Sequence, residues 1–423
     1  MKNNELYIKD ALYINPYDFS LYKGNIKVYQ GKEGKIEFID KIPENATQII
    51  DAQGGLTTKS FVIGHHHIYS ALATGMPAPK KNPSNFYEIL KYVWWNLDKK
   101  LTEQAIEASA LSTAIYALKA GATFIIDHHA SPNFITGSLE IIANALEKVG
   151  LSHLLCYEIS DRDGYEKSIE GLEETKAYLE ERQGLIGLHA SFTLEDRTLK
   201  QAADMMETYG SGIHIHVAED KVDEDLCTIH HNKRVIHRLN DFGFLNSSKT
   251  ILAHAIHIND EEREILRNSR AWIVQNPESN LNNQVGFFSA KGLDTNRIML
   301  GTDGMHSDMI QSAKFAYFAG LAFEQQDMDM IYQRLRNNDR YLAENNFSGH
   351  AENNIVIFDY QPRTPITSTN FLGHFFYALS SAHVRHVISN GKIVLKDRKV
   401  TTIDEEEVFA MAQQQAQLLW KKL

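Results

Sequence analysis

The chain has 423 residues, with 43 Lys+Arg against 54 Asp+Glu for a net charge of −11, and 43% of it is hydrophobic. That is enough apolar material for a sizeable core, which excludes a disordered chain or a disulfide-stapled miniature. The acidic balance, with no basic run, excludes the footprint that nucleic acid or an anionic membrane requires. Cys156 and Cys227 are too few for a disulfide framework, and the first residues form no apolar leader. Both features predict a cytoplasmic protein that works on a small molecule.

Residues 1–57 read as short strands at 6–8, 11–14, 25–29, 35–39 and 48–50, separated by turn residues. From residue 58 the texture changes to apolar runs at 60–65, 123–127, 151–157, 185–189, 212–217, 250–254, 271–275 and 297–301. Several are apolar on both faces, as parallel strands covered by helices should be. Amphipathic stretches at 102–119, 165–181 and 194–209 lie between them. Short strands return at 354–358 and 384–389, and Asn390-Gly391 then signals a two-residue hairpin into 392–395. The spacing predicts an α/β fold: a (β/α)8 TIM barrel over 58–348, a small β-sandwich built from 1–57 and 349–400, and a C-terminal helix within 401–423.

Almost every barrel run ends in polar groups: His65-His66-His67, Asp127-His128-His129, Glu158, His189, His216 with Glu219, His254, Asn276 and Asp303. In a barrel these ends open on one face, where such enzymes keep their sites. On a strand, His65 and His67 share a face while His66 points away, and His214 shares the face of His216 one layer deeper. His65, His67, His216 and Asp303 form an N/O set suited to one divalent ion, Zn2+ first and Fe2+ or Mn2+ as alternatives. Glu219, three residues past His216, is placed to move protons beside that ion, or else is a helix-start carboxylate. His254 is either a further ligand or the group that steadies the attacking water.

Gly64-His65-His66-His67-Ile68-Tyr69-Ser70, His216-Val217-Ala218-Glu219, Leu252-Ala253-His254, Asn276-Pro277-Glu278-Ser279-Asn280-Leu281 and Gly301-Thr302-Asp303-Gly304 together resemble the amidohydrolase superfamily, in its cytosine deaminase-like and chlorohydrolase branch. Residues 94–99, 127–132 and 158–164 look like a narrower group of aminohydrolases called SsnA. The resemblance spans essentially the whole chain. It implies that His65, His67, His216 and Asp303 bind the metal, that Glu219, His254 and Asp303 are catalytic, and that the protein is a homodimer. Lys59-Ser60 stands where relatives carry Pro-Gly, and His66 where they carry a small residue. The fourth run has no lysine to bridge a second ion, which favours a single metal.

The expected reaction is hydrolytic deamination of a purine-, pyrimidine- or triazine-like ring by metal-activated hydroxide. The same site could open a cyclic amide or displace halide, and an inactive scaffold is the reading of another class. Trp94, with Trp95, Phe86 and Tyr92, either stacks on a flat ring or packs a helix on the barrel. His128, His129, Asn276, Glu278 and Asn280 are candidates to read the ring's edges, with a plain loop as the alternative for 276–280; His189 either offers the pocket a neutral donor or acceptor or packs inertly, and Arg162 is the candidate to meet an anionic group.

Overall fold

The computed structural model describes residues 5–423. Eight parallel strands follow one another in chain order: β1 (Phe61–His66), β2 (Ala122–His129), β3 (Ser152–Tyr157), β4 (Ile186–Ala190), β5 (Ile213–Val217), β6 (Ile251–His254), β7 (Trp272–Gln275) and β8 (Ile298–Leu300). The first three form one sheet and the last five another. Parallel bridges Leu155–Gly184 and Ile159–Leu188 lie at the seam between β3 and β4, and His66–Asp303 at the seam between β8 and β1. Each strand lies within two residues of its predicted run, because apolar stretches buried on both faces leave little choice of register. The arrangement is the α/β TIM-barrel fold. Among the described residues no helix is long and apolar enough to cross a membrane.

The helices start where the sequence supplies caps. The Thr102 hydroxyl accepts from the Ala105 N–H to open α1 (Glu103–Lys119). α2 (Tyr165–Glu181) and α3 (Asp196–Tyr209) occupy two further connections. Further helices lie between the strands, among them Ser138–Val149 and Lys221–His231, and two follow the last strand, α4 (Met309–Gly320) and α5 (Met328–Glu344). The Asp404 carboxylate caps α6 (Glu405–Trp420), which packs on α1.

α5 carries a buried polar cluster under the strands' N-terminal ends. Arg336 donates to the carbonyls of Ser60 (2.9 Å) and Lys59 (3.2 Å) and to Asp339 (3.3 Å). His350 Nε2 donates to the other Asp339 oxygen at 2.7 Å. Asn338 donates to Val62 O and Leu300 O, tying β1 to β8. The Lys59-Ser60 entry to β1, which departs from the family pattern, is thus held from outside by a guanidinium.

Segments before and after the barrel pair into one nine-stranded sheet. Its central joint sets Leu56–Lys59, a strand absent from the predicted set, antiparallel to Ile355–Phe358. The predicted strands 6–8 and 11–14 are one strand, Leu6–Ile14, with a register shift where Asp10 takes φ 50°. A bulge breaks the alternation that made it look like two. Asn353 donates to Tyr29 O across 324 positions of chain. Asn390-Gly391 makes the predicted hairpin turn, with φ of 51° and 74°.

Candidate metal centre and active site

The C-terminal ends of the barrel strands surround a cavity whose wall includes His67, His189, His216, Glu219, His254 and Asp303. Hydrogen bonds to the imidazoles decide which nitrogens face it. His67 Nδ1–H donates to His128 O at 2.7 Å and His216 Nδ1–H to His189 O at 2.8 Å. Each ring therefore presents a bare Nε2, and these two nitrogens lie 3.1 Å apart. Under His65, Cys156 donates its thiol to Asp127 O and His214 Nδ1 reaches the sulfur. That leaves His214 Nε2 to accept from His65 Nδ1 at 2.9 Å. His65 Nε2 is buried with no hydrogen-bond partner. Asp303 Oδ1 stands 3.1 Å from His67 Nε2 and 3.4 Å from His65 Nε2.

Three lone pairs and a carboxylate oxygen that converge on one point repel one another unless positive charge lies among them. The donor set thus fits a divalent cation of the zinc type. A proton is the weaker substitute: burial works against a charged His67, but Asp303 outweighs it and pushes the ring up to about 9. Burial would also raise Asp303, yet contacts with His65 and His67 hold it well below the usual carboxylate range. Burial first, and neighbouring imidazoles after it, drive His65 to about 3 against the pull of Asp303 and His216 well below its ordinary value, so both are neutral.

His254 belongs to the same cluster but presents the opposite chemistry. Asn280 donates its amide to His254 Nδ1 at 2.7 Å, so the ring proton sits on Nε2, 3.5 Å from Glu219 Oε2. A protonated Nε2 is a donor, not a ligand. Glu219 is held well above the normal carboxyl range, by burial first and the Asp303 charge second, and is therefore a neutral acid. Ala218 (φ 45°), His254 (φ 77°), Ala255 (φ 51°) and Asp303 (φ 53°) all occupy the left-handed region, which costs about 1–3 kcal/mol each. Cross-strand bonds hold two of them, Ala255 N–H to Val217 O at 2.9 Å and Asp303 N–H to His65 O at 3.1 Å, and a local bond holds a third, Ala218 N–H to the Asp223 carboxylate at 2.7 Å. Gly301 is required by close approach, since a Cβ there would lie 2.4 Å from Asn276 Oδ1.

Of the residues predicted to contact substrate, His189, Trp94 and Arg162 line the cavity, whereas His128, His129, Asn276, Glu278 and Asn280 do not. His128 Nε2 points to the carbonyls of Leu188 and His214, so its ring lies inside the barrel below the mouth, whereas His129, turned to the opposite face by strand parity, pairs with Ser131. Asn276 is buried behind Gly301. Arg162 reaches the cavity with its charge already matched by Asp98, Asp163 and Glu158, and so is not a receptor for an anion. Trp95 and Phe86 line the mouth, while Tyr92 turns away to Lys81 and Glu88. The segment is a helix broken by a π turn at Leu90–Trp94, a distortion common at functional sites. Asn280, read from the sequence as a ring-edge contact or a loop residue, instead sets the His254 tautomer, while Ser279 and Asn283, given no role from the sequence, bond Asp303 and Glu219. Ser279 and Asn280 lie in the short helix Pro277–Asn282 that follows β7, and Asn283 caps its end.

Comparison with known proteins gives a consistent grouping. The profile of the Amidohydrolase family matches residues 60–331. The 5′-deoxyadenosine deaminase of Methanobrevibacter smithii is 26% identical, over 97% of this chain and 97% of its own. The 5-methylthioadenosine/S-adenosylhomocysteine deaminase of Syntrophomonas wolfei is 25% identical over 90% of each. The crystal structure of an adenosine deaminase from Xanthomonas campestris with bound zinc superposes with a TM-score of 0.81 at 17% identity, covering 98% of this chain and 99% of that one, and shares its fold.

Proposed function

This chain belongs to the amidohydrolase family, and from that premise we propose that it is a metal-dependent aminohydrolase that removes an amine from an sp2 carbon of a purine-like or related nitrogen heterocycle. The observation that carries the reading is the pair of bare Nε2 atoms of His67 and His216, 3.1 Å apart, beside a neutral Glu219. His65, His67, His216 and Asp303 would hold the cation, and the three-imidazole, one-carboxylate set supports zinc. When bound, that ion supplies Lewis acidity and lowers the pKa of water toward neutrality.

The chain's own residues account for the proton traffic. Asp303, kept ionised by His65 and His67, accepts a proton from the attacking water. Glu219, kept neutral by burial, gives its proton to the ring nitrogen next to the attacked carbon, then carries the proton from Asp303 to the departing amine, and recovers a proton from the new hydroxyl as the carbonyl forms. His254, fixed by Asn280, points its Nε2–H at the oxygen that gains negative charge. Water is consumed, and ammonia and a carbonyl compound leave. Trp94 and Trp95 offer apolar surface for the flat ring.

The domain division we propose is a barrel over 58–348, a composite β-sandwich from 1–57 and 349–400, and a helical end at 401–423. It is supported by a separate apolar core to which Leu6, Ile8, Ile26, Ile355 and Ile388 all contribute.

Elemental analysis of purified protein together with an ammonia-release screen over purines, pyrimidines and triazines tests the function. About one equivalent of divalent metal and ammonia from at least one ring are expected. Metal-free protein, or products that are only ring-opened acid or halide, would overturn the deaminase reading.

A further inference from the structure

The cavity has a second polar wall that the proton traffic does not use. Glu158, at the end of β3, has a side chain only 3% exposed, yet it lines the cavity. Its nearest partners are His128 Nδ1 at 3.4 Å and Arg162 Nη1 at 3.7 Å, both too long for a full hydrogen bond. Arg162 cannot come closer, because it is drawn to Asp98 and Asp163 and lies 5.1 Å from the Trp95 ring centre. His128 cannot turn, because its Nε2–H serves two backbone carbonyls. A buried carboxylate left in this condition is a strong acceptor awaiting a donor.

Beside it stands His189. The Thr193 hydroxyl donates to Ala190 O at 2.9 Å, so it accepts from His189 Nδ1–H at 2.8 Å. His189 Nε2 is therefore bare. Ligating atoms of Glu158, His189 and His216 lie within 4.8 Å of one another. The ring of His216 stands 5.8 Å from that of His189 and 5.5 Å from that of His254, so both groups border the same imidazole. His254 thus offers a donor to the cavity, whereas Glu158 and His189 each add an acceptor to it.

We propose that Glu158 and His189 form a specificity wall that selects substrates carrying hydrogen-bond donors, either ring N–H groups or vicinal sugar hydroxyls, on the edge away from the reacting carbon. The inference rests on the aminohydrolase reading and deepens it by naming what the substrate must present. A ring whose distal edge carries only acceptors or alkyl groups leaves the buried carboxylate without a full hydrogen bond and is rejected.

Binding, measured apart from turnover, tests it. Full-length, metal-loaded Glu219→Gln protein is titrated calorimetrically with adenine against 9-methyladenine, and with adenosine against 2′,3′-dideoxyadenosine. The donor-bearing member of at least one pair should bind at least about tenfold tighter, as expected of a site built around a buried acceptor. The pair that discriminates identifies ring N–H or sugar hydroxyl as the donor. Adding Glu158→Met, which keeps the length and removes the acceptor, should reduce that ratio to below about threefold. Equal binding within both pairs, a ratio that survives Glu158→Met, or no binding by any of the four would overturn the proposal. The first ratio needs no change at Glu158, so it decides even if that variant folds poorly. Ammonia release by the unaltered enzyme is scored separately, so failure of the wall and failure of the deaminase reading give different results.

Discussion

The barrel holds a buried polar cluster at each end, and the two are built on opposite principles. Beneath the strands, Arg336, Asp339, His350 and Asn338 find hydrogen-bonding partners in one another and in the carbonyls of β1 and β8. At the other end, bare nitrogens of His65, His67 and His216 crowd the Asp303 carboxylate, and Glu158 stands without a full hydrogen bond. A satisfied network fixes geometry, while an unsatisfied one keeps free energy available for a ligand. The contrast separates structural polarity from functional polarity without reference to any relative.

The sharpest way to break the contrast is to remove function while keeping the fold. Glu219→Gln should lower turnover about a thousandfold, the scale of a lost acid–base group, with metal content and melting temperature unchanged; abundant residual deamination would take the shuttle role from Glu219. Acid should act on the whole molecule. Burial lowers His66 and His129 to about 3 and His189 and His350 to about 4, whereas the unfolded chain takes up these protons near pH ~6.5. The contribution is therefore complete above that pH and is lost as the pH falls toward 4, by up to about 1.4 kcal/mol per pH unit for each ring. Urea titrations from pH 7 to 4 measure the slope, and a flat profile would contradict it.

Asp339→Asn should cost about 3 kcal/mol by breaking a buried ion pair, and lower the melting temperature while kcat/KM of the folded enzyme stays within about twofold. A large loss of activity at unchanged stability would mean that the lower cluster also takes part in catalysis. The smallest effect is expected from Asn280→Ala. Freeing the His254 tautomer should reduce kcat about tenfold with little change in KM, and Asn280→Asp should not restore it, because a carboxylate would move the ring proton to Nδ1.

How far this was legible in the sequence depended on whether a signal was local. Barrel strands were readable because almost every apolar run ends in its own polar residue, and those ends set His65 and His67 3.4 and 3.1 Å from Asp303 and His67 3.1 Å from His216. Depth was not readable: alternation puts His128 on a face but does not tell a ring that plugs the barrel from one that lines its mouth. Partnership was not readable either. Arg162 looked like a free cation because Asp98, which neutralises it, lies 64 positions earlier. Glu158 drew attention only as a strand end, since its isolation results from where Arg162 and His128 are held.

The joint between Leu56–Lys59 and Ile355–Phe358, with the clasp from Asn353 to Tyr29, bears on how the chain is made. On the ribosome, the early strands emerge with an open edge, and their pairing partners are translated only after the entire barrel. Until then that edge is exposed to neighbouring nascent chains, so slow elongation or a shortage of chaperones should harm the yield of this protein before it harms its chemistry.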